Sequence, residues 1–253
     1  MIYAIPSYKR AGKQETLEFL LRMGIQPKDI YIFVQTKEDN EAYSKLYKGM
    51  CNVIYRPANS VPVARNNILR YFDGRDNILM MDDDVSRFSY GSKGMKFVDV
   101  KSGRQFAETI DKMFEVTAIL QGCMFGLYPV YNEFFMSDDI STRVTVNTVI
   151  GFPAGFPLRF NEKFNAKEDI ELCGRILNQG GKIIRFNNIS FKAKHRTNAG
   201  GAYDTWHSDE NTKLSRILSI MYPNVFCVRK DNPQEVRVRL KDKKEKGLVW
   251  IKK

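Results

Sequence analysis

Residues 78–86 read ILMMDDDVS, so Ile78-Leu-Met-Met81 runs straight into Asp82, Asp83 and Asp84. An apolar run of this length, bounded by polar residues, predicts a strand over Asn77–Met81 buried on both faces. The aspartates repel one another, and no lysine or arginine adjoins them in the chain. Either they form a solvated turn, or a counter-charge that is not a side chain belongs there. A hard divalent cation such as Mg²⁺ or Mn²⁺ takes oxygen ligands, usually one or two carboxylates completed by phosphate and water. Asp82 and Asp84, two positions apart, can converge on one such ion from a turn. Asp83, between them, is expected to point elsewhere, toward backbone.

Upstream, apolar runs alternate with helical patterns. Strands are predicted at Ile2–Ile5, Asp29–Val34 and Val53–Tyr55. Helices are predicted at Glu15–Met23, at Glu38–Tyr47 and from a Ser60 cap to Phe72, with Pro62 in the first turn. Strand and helix in alternation imply an α/β fold with right-handed crossovers, its central sheet mostly parallel and flanked by helices. Such sheets bind ligands at the carboxyl ends of their strands, which is where the aspartates fall. Further on, helices are expected at Phe106–Leu120, Glu168–Gln179 and Asp209–Met221. Strands are expected at Gly122–Leu127, Val144–Phe152, Lys182–Phe186 and Ile189–Ala193, and Phe152–Phe164 reads as a loop with packed aromatics. No repeat or low-complexity linker interrupts residues 1–253, so one domain is expected. Its successive parts are 1–90, 91–207, and a C-terminal helix with a basic tail (208–253).

The 40 basic against 29 acidic residues leave a net charge of +11, and the pI is near 9.4. That sign favours polyanionic partners, nucleic acid before an anionic membrane surface. The excess is concentrated from Val236 to Lys253, a segment that is either a solvated tail or a phosphate contact. Cys51, Cys123, Cys173 and Cys227 are scattered and lack zinc spacing, so reduced thiols and a cytoplasmic setting are expected, the host cytoplasm if the chain is phage-encoded. No apolar run approaches the ~20 residues that cross a bilayer, and no membrane partner is expected.

Three further motifs bear on chemistry. Pro6-Ser-Tyr-Lys-Arg10 follows the first strand without the glycine fingerprint of a dinucleotide or P-loop site. It is either a basic surface turn or a loop that stacks on a base and pairs with phosphate. Arg65 lies early in its helix, where a cation opposes the helix dipole; an external anion or the aspartates would explain it. Glu168, Asp169 and Glu171 open a helix, where acids are favoured for any function, although a carboxylate fixed there also suits a general base.

Together, IPSYKR, DIYIFV, RPANSVPVARNNIL, ILMMDDDV, KEDIEL and HRTNAGG resemble the GT-A (Rossmann-like) nucleotide-sugar glycosyltransferases. Within that class the resemblance is to the TET/JBP-associated glycosyltransferases, the group related to the base J DNA glucosyltransferase and found widely in phages. It implies a UDP-sugar donor, with glucose foremost, and Mn²⁺ or Mg²⁺ on Asp84, with Asp82 shared between the metal and the donor's hydroxyls. It implies Pro6, Ser7, Tyr8, Arg10 and Arg65 at the nucleotide, and Asp169, with Glu168 as the competing choice, as the base. His195 would be a third metal ligand, with His207 as runner-up. Gly200 and Gly201 would let a loop close over the donor. The acceptor it implies is the hydroxymethyl group of 5-hydroxymethylcytosine or 5-hydroxymethyluracil in DNA, with Tyr90, Lys93 and Lys96 near the strand. A base on a helix start suggests inversion.

Competing readings are a glycosyltransferase for polysaccharide or protein, and a non-catalytic DNA-binding protein on the same scaffold. A neutral acceptor does not call for so basic a chain, and intact Asp82, Asp84 and Asp169 argue against loss of catalysis. A metal-dependent nuclease would explain neither PSYKR nor KEDIEL.

Overall fold

In the computed structural model, residues 1–193 and 208–239 are described, with backbone alone at Ser208 and at 248–249. The short apolar runs form β1 (Ile2–Ser7), β2 (Ile30–Val34), β3 (Asn52–Tyr55) and β4 (Ile78–Met81). They are joined by α1 (Glu15–Arg22), α2 (Lys37–Leu46) and α3 (Val61–Phe72). β1 lies parallel between β2 and β4, with Tyr3 opposite Ile30 on one side and Leu79 on the other. The spatial order is β3-β2-β1-β4. The chain therefore steps outward from β1 and then returns to its other side, and this reversal opens a crevice at the strand ends.

The sheet continues through β9 (Val149–Phe152), β7 (Gly122–Tyr128), β10 (Lys182–Ala193), β8 (Asp139–Ser141) and β13 (Leu248–Val249). β7 and β10 are parallel, whereas β9 runs antiparallel to both neighbours. β5 (Val85–Ser92) leaves the aspartates to pair with the far half of β10 and forms a hairpin with β6 (Met95–Asp99). The result is a mixed α/β sheet flanked by helices, with β1 to β4 parallel. A small ladder of β11 (Phe226–Val228) and β12 (Val236–Val238) lies apart from it.

Alternate residues of each inner strand feed opposite faces, which is why those runs are apolar throughout. Tyr3 and Ile5 meet Leu17, Phe19 and Leu20 of α1 and Phe106 and Ile110 of α4 (Gly103–Ile119). Ile2 and Ala4 lie in the opposite layer with Ile68 and Leu69 of α3, Leu172 and Ile176 of α5 (Glu168–Asn178), and Leu218 of α6 (Ser208–Met221). Phe152, Phe156, Phe160 and Phe164 are buried there too, as expected of an aromatic-packed loop.

Several bounds differ from expectation for local reasons. α4 starts three residues early because Ser102 caps it, its hydroxyl accepting from Gln105 N at 3.1 Å. Ser60 stands at the α3 N-cap without a capping hydrogen bond. β9 begins at Val149 because Thr148 is left-handed (φ 55°). The two strands expected at 182–193 are one, with a register shift between Phe186 and Ser190.

Candidate active site

The aspartate turn is held from behind by the start of α1. Thr16 Oγ1 donates to Asp82 O (2.5 Å) and accepts from Val85 N (2.9 Å), while Thr16 N donates to Asp83 O (3.3 Å). From the far side Asp82 N donates to Thr148 O at 3.0 Å. The clamps make the side chains alternate: Asp83 is buried, while Asp82 and Asp84 stay partly open.

Asp83 turns into the protein, toward side chains rather than the expected backbone. Its Oδ2 accepts from Ser7 Oγ at 2.6 Å and its Oδ1 pairs with the Arg10 guanidinium. Ser7 Oγ in turn accepts from Gln14 Nε2 (2.7 Å) and meets Tyr43 OH at 2.8 Å. Since the Ser7 proton goes to Asp83, Tyr43 is the donor in that contact. Arg10 N donates to Tyr43 OH at 3.1 Å, and Lys9 N to Asp39 Oδ2 at 3.1 Å. These bonds fix the PSYKR loop, including Lys9 in the left-handed region (φ 54°). Gln14, Tyr43 and Asp39 carry no motif signature; Tyr43 reads simply as an apolar helix position.

Arg65 takes the second of its two expected roles and pairs with carboxylates. Its side chain is 7% exposed, with guanidinium nitrogens 2.9 Å from Asp82 Oδ1 and 3.1 Å from Glu168 Oε1. The guanidinium also lies 5.6 Å from the Phe160 ring centroid. Asn66, next in the chain, secures that segment: its Oδ1 accepts from Phe160 N (2.7 Å) and its Nδ2 donates to Phe160 O (2.9 Å). Burial works to lower the Arg65 pKa, but Asp82, Glu168 and Asp169 outweigh it and push the pKa up.

The remaining carboxylates differ in freedom. Glu168 is buried and tied to Arg65, whereas Asp169 is half-buried and accepts from Ile170 N at 2.7 Å. Burial raises the proton affinity of both, and Arg65 opposes it. Burial and the adjacent Asp82 and Asp83 push Asp84 up to about 7, with Arg10 acting against them. Five carboxylates thus share the Arg10 and Arg65 guanidiniums, with Lys167 a weaker counter-charge to Asp169. This surplus of negative charge fits a cation that takes one or two carboxylates and fills its shell with phosphate and water. Among the described residues no group of three or more His, Cys, Asp or Glu is arranged to hold a metal. His195, Gly200, Gly201 and His207 lie outside the described residues.

Pro6 and Tyr8 are half-buried at the same strand end, and Lys9 Nζ lies 5.0 Å from the Tyr8 ring centroid. The PSYKR loop, the aspartates, Arg65 and the start of α5 therefore meet at the crevice between β1 and β4. The family model for TET-associated glycosyltransferases matches residues 1–201. The chain belongs to that family.

Two solved structures with similar folds are a chain from Desulfovibrio desulfuricans G20 assigned as a nucleotide-diphospho-sugar transferase and one from Bacillus anthracis assigned as a glucose-1-phosphate thymidylyltransferase, in complex with a sucrose. The first is 8% identical with TM-score 0.43, covering 73% of this chain and 78% of its own. The second is 11% identical with TM-score 0.45, covering 76% and 88%. No curated protein matches the chain. As a TET-associated glycosyltransferase it is a nucleotide-sugar transferase. No helix among the described residues is long and apolar enough to cross a membrane.

Proposed function

We propose that this TET-associated glycosyltransferase moves a sugar, glucose foremost, from a UDP-sugar to the hydroxymethyl group of a modified pyrimidine in DNA. The observation that carries the catalytic part is the Arg65 bridge, which ties Asp82 at the donor crevice to Glu168 at the start of α5. Asp82 and Glu168 meet different nitrogens of that one guanidinium. The DNA acceptor is supported by the family resemblance and by the net charge of +11.

Asp84 and Asp82 would hold a Mg²⁺ or Mn²⁺ ion, which when bound would offset charge building on the leaving diphosphate. Arg65 pairs with Asp82 and Glu168, while Arg10, oriented by its pair with Asp83, would turn a guanidinium toward that diphosphate. Asp169 takes the proton from the acceptor hydroxyl as its oxygen attacks the anomeric carbon, a single displacement with inversion. Glu168 serves as the fixed partner of Arg65 instead. A base reached by these groups must leave the duplex stack.

The test incubates the protein with UDP-sugars, Mn²⁺ and DNA containing 5-hydroxymethylcytosine or 5-hydroxymethyluracil, then weighs the digested nucleosides. A hexose adduct is expected, and Asp84→Ala should abolish it while the thermal unfolding transition persists. Retained transfer in Asp84→Ala would remove the metal assignment; donor consumption only with a polysaccharide or protein acceptor would remove the DNA assignment.

A further inference from the structure

Arg10 and Arg65 are each paired with a carboxylate, but among the described residues Arg185 is not. Arg185 lies on β10 opposite Gly126 of β7, Gly126 lies opposite Ile150 of β9, and Ile150 opposite Met80 of β4. Arg185 and Met80 thus occupy one row, three strands apart, which is about 14 Å at the usual spacing. Because β9 is antiparallel to both β4 and β7, strands β4, β7 and β10 run the same way. Arg185 is therefore near the carboxyl edge that carries the aspartates. Side chains alternate along a strand, so it shares the face of Ile183, in the layer with Met80 and with Leu172 and Ile176 of α5.

Its guanidinium is held without being neutralised. Nε donates to Asn187 Oδ1 at 2.7 Å, and the group lies 5.2 Å from the Tyr128 ring centroid. Asn187 is 5% exposed and donates through Nδ2 to Ser141 Oγ at 2.8 Å. One carboxamide therefore holds the guanidinium on its oxygen and the Ser141 hydroxyl on its nitrogen. Among the described residues the Ser141 proton has no acceptor, and the two terminal nitrogens of Arg185 make no hydrogen bond yet stay open to solvent. Burial lowers the Arg185 pKa against Tyr128 alone, whereas three carboxylates push that of Arg65 up. A charge partly withdrawn from water without a counter-ion is unfavourable, so an anion from outside is favoured there. An open guanidinium fork beside a hydroxyl donor matches a phosphate group.

We propose that Arg185 and Ser141 bind a backbone phosphate of the acceptor strand, within about four nucleotides of the base to be glycosylated, a span of ~14 Å at ~3.4 Å per nucleotide. The inference rests on the DNA-acceptor reading, and its test separates the two. A free nucleotide offers the same phosphate chemistry, so UDP forms a second arm. Anisotropy on the full chain follows a fluorescein-labelled single-stranded oligonucleotide carrying 5-hydroxymethylcytosine across a salt series, and calorimetry follows UDP with Mn²⁺. The variants are Arg185→Gln, which removes the charge, and Arg185→Lys, which keeps it without the planar fork. Arg185→Gln should reduce the slope of log affinity against log salt by about 0.7, the contribution of one phosphate on a single strand. The loss should be alike for oligonucleotides of different sequence, with UDP affinity unchanged, and Arg185→Lys should restore the slope. Arg185→Gln should also unfold no earlier than the parent, because the charge it removes strands no partner. A parental slope in Arg185→Gln, in a protein that still glycosylates DNA, overturns the inference alone. Weaker UDP binding with that slope unchanged assigns the anion to the donor and overturns it too. A parent that neither binds the oligonucleotide nor transfers sugar to DNA removes the acceptor reading, and the inference with it.

Discussion

Asp83 occupies the most demanding position in the aspartate turn, because burial raises its proton affinity while Asp82 adds repulsion. Arg10 and Ser7 offset both by pairing and hydrogen bonding. Removing one partner of a buried ion pair strands the other, which costs about 3 kcal/mol. Asp83→Ala should therefore lower the unfolding free energy by about that amount in urea titration; a loss below about 0.5 kcal/mol would mean that the pair is solvated. The Glu168–Asp169 pair is legible through pH. Burial lifts both carboxyls and Arg65 opposes it, so the folded chain binds these protons more tightly than the unfolded chain does. The pair's contribution to stability is thus full below the ordinary carboxylate value and is lost as pH rises through the raised values. Activity runs the other way, because a base must be ionised. The kcat/KM profile should climb with pH at unit slope, with a midpoint above the ordinary ~4 of a carboxylate. A midpoint at or below that value would remove Asp169 as the base.

At the scale of elements, helix α5 must keep its first turn still while carrying three acids. Glu171, the third of them, is buried and accepts from Tyr222 OH (2.7 Å) and Arg175 (3.0 Å), tying α5 to the end of α6. Lys167, left-handed at the N-cap (φ 61°), bonds Gln234 O at 2.6 Å. The centre of the sheet depends on close approach. Gly151 of β9 lies opposite Phe125 of β7, and a Cβ there would sit 2.0 Å from the Phe125 ring. Gly151→Ala should cost about 2 kcal/mol as measured by thermal unfolding, and an unchanged midpoint would show that the ring moves aside freely. The β5–β6 hairpin escaped the sequence reading because VSRFSYGS mixes small polar residues into its alternation. Its pairing with β10 comes from a partner about a hundred residues away, which no local period reports.

Over the whole molecule, the charge of +11 shapes partner choice more than fold. Arg65 and Arg10 sit among the carboxylates of the crevice, so the field that meets a polyanionic acceptor comes from other cations, Lys93 and Lys96 among them. If the acceptor is DNA, its apparent affinity should fall steeply with salt. Three neutralised phosphates imply a loss of about fortyfold between 50 and 200 mM salt. A KM for acceptor that stays flat over that range would favour a neutral acceptor.

The amino-acid sequence by itself determined the alternating α/β half, the placement of Asp82–Asp84 at a strand end and the helix opened by Glu168 and Asp169. Those features depend on local periodicity and on residues close in the chain, so no fold was needed to see them. Only the tertiary structure decided how the charges are shared. It set Asp83 on Arg10 and Ser7, placed Arg65 between Asp82 and Glu168, and left Asp169 the freer acid. It also brought Tyr43 and Gln14 beneath the first loop. A carboxylate's partner is whichever cation the fold brings within a few ångströms, and for Asp83 that cation lies 73 positions away in the chain.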